Sequence, residues 1–511
     1  MDPALNRSLV FIGFMGAGKT TAARLAAELA GIPCADSDQI IEERSGLTAA
    51  QHFEAHGEPA FRAAEEKAVL ELLAGPPQMI SLGGGALGSA AVIEALGEQV
   101  TVLLDVDLEV AWQRIQGSDR PLGQDRAGFE YLFREREYVY RELGDVNLSS
   151  NDAEVIEAAL PSLLAMAHGE AGTLRLLWAA GPGGGYPVWV GEDALSVAPW
   201  PLAATSRRFV VSDSNVAELY AGEVPEIAGL IEVPAGEESK SLETAQSVWN
   251  ALVGQHATRA DHIVAVGGGV VGDLAGFCAA SFQRGIPIVQ VPTTLVAQVD
   301  SAFGGKTGVD LPSAKNYIGA YHQPAAVIVD PTKLATLPAD ELAAGFAEVV
   351  KTALIGGGLL WERVSEGNEV DEQIIRECAR IKIAVVAGDQ RDAGPRQKLN
   401  LGHTIGHAIE SATGYTELRH GEAVSLGLLA ALRISQAPEL REQVRLILEG
   451  AGLPTSVEGL DVDAVLAAVS LDKKRLSGPV PFVCCSAPGE VRYGVEVEPE
   501  LVRSAVEELT A

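Results

Sequence analysis

Leu399 to Glu410 read LNLGHTIGHAIE. His403 and His407 stand four residues apart, which on a helix puts both imidazoles on one face. The pair resembles the two-histidine half of a zinc motif, but no glutamate lies between them. A carboxylate is available elsewhere. Glu348 lies in GFAEVVKTAL, a helical stretch that places Lys351 one turn later on the same face. A third imidazole, His420, follows in RHGEAV. One carboxylate and two imidazoles match a catalytic zinc set, which keeps positions open for substrate oxygens. Spacing alone does not decide which two histidines those are.

A different chemistry is written near the N-terminus. GFMGAGKT, Gly13 to Thr20, follows the apolar run SLVFIGF and opens the Ala/Leu-rich stretch GKTTAARLAAELAG, closed by Gly31. It fits the phosphate-binding pattern G-x-x-x-x-G-K-[ST]. Gly13, Gly16 and Gly18 let backbone N–H groups turn around phosphate, and Lys19 reaches the outer phosphates. Thr20 and Thr21 stand at the helix start, Thr20 as a Mg²⁺ ligand. Further on come Asp36 and Asp38 in CADSDQ, Arg62 in PAFRAAEEKAV, and Gly83, Gly84 and Gly85 in SLGGGAL. Arg120 lies in DRPL and Arg136 in REREYVYRE. Guanidinium forks suit an acceptor that carries a carboxylate. Taken singly, the aspartates read as a loop cap and Arg62 as a solvated helix charge.

A second Gly-rich turn, VAVGGGVVGDLAGFCA, puts Gly267, Gly268 and Gly269 between a strand and a helix. It lacks the G-x-G-x-x-G spacing, but a Gly-rich strand end still suits dinucleotide phosphate. Asp213 and Asn215, at the end of FVVSDSN, are placed to meet a ribose or base. Glu237 and Lys240 in AGEESK follow the next strand. Cations come from Lys306, Lys315, Lys351, Lys382, Arg396 and the pair Lys473 and Lys474. In a chain of formal net charge −31, such a set points to phosphate and carboxylate recognition. The same acidity disfavours general binding of nucleic acid or of an anionic membrane.

Two or three domains must position these residues, because 511 residues exceed one ordinary domain. Apolar runs alternate with helical stretches as far as DAEVIEAALPSLLAMA, which predicts a parallel sheet flanked by helices. HGEAGT, residues 168–173, reads as a linker. Alternation restarts with RRFVVSDSN, HIVAVGGG, IPIVQVP and AAVIVD, and from about residue 338 helical patterning takes over. The fold class expected is α/β. A P-loop kinase domain with a parallel sheet spans 1–168 and a linker 169–173. An α/β nucleotide-binding half then runs from 174 to about 337, and a mostly helical metal-binding half from about 338 to 511. No signal peptide and no run of about 18 apolar residues stands out. Cys34, Cys278, Cys378, Cys484 and Cys485 form neither a disulfide nor a zinc pattern. The expectation is a cytoplasmic protein with reduced thiols.

Behind a P-loop and in this order, Asp36, Asp38, Arg62, Gly83 to Gly85, Arg120 and Arg136 resemble the shikimate kinase family, over roughly residues 7–165. The resemblance implies ATP with Mg²⁺, shikimate as acceptor and phosphorylation of its 3-hydroxyl. It implies Thr20 and Asp36 around Mg²⁺, Arg114 against adenine, and Asp38 on the acceptor hydroxyl. Arg62, Arg136, Gly84 and Gly85 would hold shikimate, and Arg120 would close a lid over the transferring group. The stretch between Arg120 and Arg136 is a few residues shorter than the family pattern, which bears on lid closure.

QVPTTLVAQVDSAFGGKTGVDLPSAKNYIGAYHQP, GFAEVVKTAL, LNLGHTIGHAIE and RHGEAV, in that order, resemble the 3-dehydroquinate synthase family across roughly residues 174–511. The resemblance implies NAD⁺ with Zn²⁺, or another divalent metal such as Co²⁺. The implied reaction converts 3-deoxy-D-arabino-heptulosonate 7-phosphate to 3-dehydroquinate and phosphate. Glu348, His403 and His420 become the metal ligands, and His407 meets substrate. The cofactor contacts implied are Asp213, Asn215, Glu237, Lys240, Gly268, Gly269, Val270, Asp273, Thr293, Thr294, Asp300, Lys315 and Asn316. Substrate falls to Lys306, Asn316, Lys351, Lys382, Arg396, Asn400, His407 and Lys474, of which Lys306, Lys351, Lys382, Arg396 and His407 are also catalytic. Arg284 resembles a residue that reaches phosphate across a dimer interface, which implies a homodimer through the second half.

Two readings compete. The second half could be a polyol dehydrogenase or another sugar-phosphate cyclase, and the first a nucleotide-binding scaffold. A plain dehydrogenase has no use for Lys306, Lys315, Lys351 and Arg396 around a leaving phosphate. Intact Lys19, Asp38, Arg62 and Arg120 argue against a scaffold.

Overall fold

The computed structural model describes residues 5–116, 125–149, 151–170, 172–181, 184–312, 314–392, 394–414, 417–475 and 480–510, with backbone alone for 49–50, 53 and 471–475. It divides into two compact units, residues 1–189 with 197–201, and residues 190–196 with 202–511.

The first unit is built on β1 (Leu9–Ile12), β2 (Cys34–Asp36), β3 (Met79–Ser81), β4 (Val100–Leu104), β5 (Val146–Leu148), β6 (Arg175–Ala179) and β7 (Tyr186–Val190), in the order β2-β3-β1-β4-β5-β6-β7. β1, β3 and β4 are buried throughout, as unbroken apolar runs are when helices cover both faces of a parallel sheet. Val10, Ile12, Ile80 and Leu103 share a core with Phe14 and Phe129. The expected first helix is present at Lys19–Ala30, and Gly31 ends it in the left-handed conformation, its N–H bonded to the Ala27 and Glu28 carbonyls. One feature differs from the sequence reading. β6 lies beyond the expected linker, yet it pairs in parallel with β5, Val146 opposite Leu176. The apolar run LLWA covers what would otherwise be an open strand edge.

The second unit carries β8 (Arg208–Asp213), β9 (Ile227–Val233), β10 (His262–Gly267), β11 (Ile288–Pro292), an antiparallel hairpin of β12 (Lys306–Leu311) and β13 (Ala314–Tyr321), and β14 (Ala326–Val329). The parallel strands run β14-β11-β10-β8-β9, with Val264 between Val210 and Val289. Ligands of such sheets gather at the carboxyl ends of the strands, here Asp213, Gly267 and Pro292. Helices follow at 339–356, 358–366, 372–388, 403–412, 420–434, 438–450, 462–475 and 499–507. The helical half also contains a hairpin, β15 (Phe482–Ala487) with β16 (Glu490–Val495). Ala339–Gly356 and His420–Ile434 are buried on nearly every side, which fits their Ala/Val/Leu content and makes them rigid carriers for side chains. No helix among the described residues is long and apolar enough to cross a membrane.

Candidate active sites

The P-loop lies between β1 and the helix at Lys19. Gly13, Gly16 and Gly18 have φ of +141°, +84° and +90°. A Cβ on Gly13 would lie 2.7 Å from the Leu104 carbonyl oxygen, so only glycine makes this turn without strain. Lys19 Nζ donates to the carbonyls of Gly13 (2.9 Å) and Phe14 (3.2 Å). Thr20 Oγ1 donates to Asp36 Oδ2 at 2.7 Å, bringing together the two side chains expected around Mg²⁺. Asp36 also caps its helix, accepting from the Asp38 N–H at 3.0 Å. Arg114 donates to the Gly16 carbonyl (3.1 Å) and to Asn151 Oδ1 (3.1 Å), so it does lie against the P-loop. Thr21 is exposed on the helix.

The acceptor residues assemble around the glycine triplet. A Cβ on Gly83 would collide with the Asp38 carboxylate, and one on Gly85 with the Arg62 guanidinium. Arg136 Nη1 and the Tyr140 hydroxyl both donate to the Gly84 carbonyl, at 2.7 and 2.8 Å. Asp38, Arg62 and Arg136 thus converge where a small acid could bind. Glu65 was missed from sequence. It is buried, and its Oε2 accepts from Arg62 Nη1 at 2.6 Å, fixing the guanidinium. Burial pushes the Tyr140 hydroxyl up to about 12, so it stays a donor. Arg120 lies outside the described residues, as do the side chains of Lys473 and Lys474.

In the second unit, Glu348 on helix 339–356 meets two imidazoles. Its Oε1 lies 3.4 Å from His403 Nε2 and 3.3 Å from His420 Nε2. His403 Nδ1 faces the Leu401 carbonyl at 3.2 Å, which leaves Nε2 as the free lone pair. His420 Nδ1 faces Glu410 Oε1 at 3.5 Å. His407 lies 5.2 Å from His403 and 5.8 Å from His420 between ring centres. The three imidazoles can present ligand atoms within 4.8 Å of one another. Burial disfavours the ionised Glu348, yet Lys351 and His403 outweigh it and hold the carboxyl well below the usual range. Burial opposes a proton on His420, but Glu348 and Glu410 raise it to about 9. Anionic charge therefore surrounds the imidazoles, and a divalent cation fits that environment. Burial and the neighbouring imidazoles push His407 down to about 3, so it is neutral.

A chain of charges, with Lys351, Lys382 and Arg396 buried, extends from there. Lys351, 1% exposed, pairs with Glu348 Oε2 and with Asp300 Oδ2 at 2.6 Å. Lys382 donates to the Asp300 carbonyl at 2.7 Å and pairs with its carboxylate. Arg396 is buried and donates to the Gly304 (3.2 Å) and Gln390 (2.8 Å) carbonyls, and Lys306 pairs with Asp392 at 2.5 Å. Asn400 ends the turn of helix that also carries Arg396. Arg284 is exposed, with φ +68°.

The nucleotide side is equally close-packed. Gly268 caps the helix that begins at Gly269 and Val270, and a Cβ on Gly268 would lie 2.8 Å from the Thr294 methyl. The Thr293 N–H donates to the Gly267 carbonyl at 3.0 Å. Asp213 Oδ1 accepts from the Asn215 N–H (2.9 Å). Lys240 Nζ reaches Asn316 Oδ1 (2.7 Å), Asp273 Oδ2 (3.3 Å) and Glu237 Oε1 (3.3 Å). Lys315 Nζ stands 4.0 Å from Glu237 and 3.7 Å from Glu410. Glu410 and Asp392 were missed. Glu410 was legible, three residues after His407 on the same helical face; Asp392 carried no signal.

The comparisons with known proteins agree with this geometry. The shikimate kinase family model matches residues 15–165. The 3-dehydroquinate synthase N-terminal model matches 230–344 and its C-terminal counterpart 345–475. The 3-dehydroquinate synthase of Symbiobacterium thermophilum is 45% identical over 351 residues, 63% of this chain and 98% of that protein. That of Gloeobacter violaceus is 42% identical over 330 residues, 60% and 91%. Among solved structures, 2-epi-5-epi-valiolone synthase from Streptomyces hygroscopicus subsp. jinggangensis 5008, with NAD⁺ and Zn²⁺ bound, superposes with TM-score 0.58 at 26% identity, over 63% of this chain and 96% of that one. A 2-deoxy-scyllo-inosose synthase complexed with carbaglucose-6-phosphate, NAD⁺ and Co²⁺ gives 0.59 at 25%, over 66% and 100%. The chain belongs to the 3-dehydroquinate synthase family and carries a shikimate kinase domain ahead of the synthase portion, which makes it a bifunctional enzyme of the shikimate pathway.

Proposed function

We propose that residues 174–511 convert 3-deoxy-D-arabino-heptulosonate 7-phosphate to 3-dehydroquinate and phosphate, and that residues 1–168 phosphorylate the 3-hydroxyl of shikimate with ATP and Mg²⁺, with 169–173 as the connection. The observation that carries the synthase reading is the convergence of Glu348 Oε1 on His403 and His420 beside the buried Lys351 paired with Asp300. The donor set of one carboxylate and two imidazoles fits Zn²⁺ or Co²⁺, and the glycine turn at 267–269 fits a dinucleotide. When bound, the metal supplies Lewis-acid polarisation of a substrate oxygen and NAD⁺ a reversible hydride acceptor.

The chain's own residues do the rest. His403 keeps its lone pair because Leu401 holds the other ring nitrogen, and Glu410 holds His420 in the same way. His407 presents a neutral imidazole to a substrate hydroxyl. Lys306, Lys382 and Arg396 hold the anionic groups of the substrate, and Lys351 keeps the carboxylates of Glu348 and Asp300 in register. Arg284 completes the phosphate site of a second subunit in a homodimer. In the kinase, Arg62 and Arg136 clamp the shikimate carboxylate, Asp38 orients the attacking hydroxyl, and Lys19, Arg120 and the P-loop amides hold the phosphoryl group. We place the enzyme in the cytoplasm.

Other sugar-phosphate cyclases are the nearest rivals. The relative that is 45% identical across 98% of its length supports the heptulosonate reading over the valiolone or inosose one. The test is to supply the purified protein with the heptulosonate phosphate and NAD⁺. Stoichiometric release of phosphate without net NADH supports the proposal. No release from this substrate, with turnover of a different sugar phosphate, replaces it with a rival cyclase.

A further inference from the structure

Lys315 and Asn316 are neighbours in sequence at the start of the hairpin strand β13. In a flat strand, neighbouring side chains point to opposite faces. Here both reach the same charged pair, Lys315 through Glu237 and Asn316 through Lys240. Lys315 Nζ stands 4.0 Å from Glu237 Oε1, and Asn316 Oδ1 accepts from Lys240 Nζ at 2.7 Å, itself 3.3 Å from that same oxygen. The backbone explains how: Asn316 has φ +53°, in the left-handed region that L-residues adopt only at a cost. Besides the Lys240 contact to its side chain, a backbone interaction holds it there. The Asn316 N–H donates to Asp310 Oδ1 at 2.6 Å. Asp310 is anchored in turn, because its own N–H donates to the Lys240 carbonyl at 2.7 Å and it forms a parallel bridge with Ser241. The hairpin is thus tied by its backbone to the segment that supplies Lys240.

Resting on the synthase reading above, we propose that Asp310 is a positioning residue of this reaction. Its carboxylate holds Asn316 in the left-handed conformation that turns Lys315 and Asn316 to one side of the cleft, where cofactor and substrate meet.

Two variants separate this role from charge or general stability. Asp310→Asn keeps an oxygen that accepts the Asn316 N–H, and Asp310→Ala removes it. NAD⁺ Kd by calorimetry, KM and kcat for the heptulosonate phosphate, and the kinase rate as internal reference are measured for both. The expected result for Asp310→Ala is NAD⁺ binding and KM each about 10-fold weaker, the equivalent of one hydrogen bond, with kcat within about 3-fold. Asp310→Asn restores both to within about 2-fold of wild type. No loss in Asp310→Ala, or equal losses in the two variants, overturns the proposal. If Asp310→Ala does not fold, Asp310→Asn decides: near-wild-type values support the proposal and a 10-fold loss overturns it. A wild-type protein that neither binds NAD⁺ nor turns over the sugar phosphate refutes the synthase reading, and the proposal falls with it.

Discussion

Lys351→Met is the most informative perturbation of the second unit. Lys351 is 1% exposed, and its ammonium stands between the carboxylates of Asp300 and Glu348. Methionine keeps an unbranched apolar side chain of similar length, so the substitution removes charge with little cavity. It leaves the buried Glu348 carboxylate and the half-buried Asp300 carboxylate without the cation between them. Breaking a buried pair in this way costs about 3–5 kcal/mol. Lys382 still touches Asp300, which places the expected loss near the lower figure. In a unit of this size about 3 kcal/mol lowers Tm by roughly 4–5 °C. A divalent cation at Glu348 supplies part of the missing positive charge, so the gap between variant and wild type should narrow in metal-loaded protein. The assay is chemical and thermal denaturation of metal-free and Zn²⁺-loaded samples, with kinase activity as internal control. Lys351→Met/Glu348→Gln should recover much of the loss, because it removes one stranded charge. A metal-free Lys351→Met protein within about 1 kcal/mol of wild type refutes the reasoning, as does a gap that zinc leaves unchanged.

Other outcomes follow from the same geometry. His403→Ala and His420→Ala should lose bound zinc by elemental analysis, whereas His407→Ala retains it with reduced turnover; equal loss in all three would put His407 among the ligands. Arg62→Met should raise KM for shikimate about 10- to 100-fold and leave KM for ATP unchanged, since it removes a charge-assisted contact to a carboxylate. Burial pushes the Asp261 carboxyl up, but hydrogen bonds from Arg207 and Thr258 outweigh it and lower the carboxyl to about 2. Its folded value thus lies below the unfolded one, so the stabilisation is present above about pH 4 and is lost as pH falls toward 2. Arg207 is 45% exposed, and solvent screening leaves about 1–2 kcal/mol. Asp261→Asn should cost that much at pH 7 and far less at pH 2, by urea denaturation at the two pH values.

Much of the site was legible because its residues sit in local patterns. The P-loop, the glycine triplet and the pair His403 and His407 each occupy one turn, and one turn fixes their mutual geometry. Long-range convergence was not legible from spacing. Nothing between Glu348 and His420 in sequence shows that one carboxylate oxygen lies between two imidazoles; the packing of helices 339–356, 403–412 and 420–434 sets that. The supporting carboxylates were harder still. Glu65 and Asp392 act by holding Arg62 and Lys306, and a glutamate beside an arginine on a helix reads from sequence as a solvated pair. Strands β6 and β7 were missed for a related reason. LLWA and YPVWV are apolar runs, and short unbroken runs carry no periodicity to say which sheet they join.

The central claim is that one chain carries two independent active sites, and Lys19→Ala measured for both activities in a single preparation tests it most directly. Lys19 Nζ donates to the P-loop carbonyls of Gly13 and Phe14 and belongs to the first unit, so its loss should remove phosphate binding and leave the second unit intact. The expected result is shikimate phosphorylation reduced about 100-fold or more, with phosphate release from the heptulosonate phosphate at the wild-type rate. Parallel loss of both activities, or kinase activity that survives the substitution, contradicts the account.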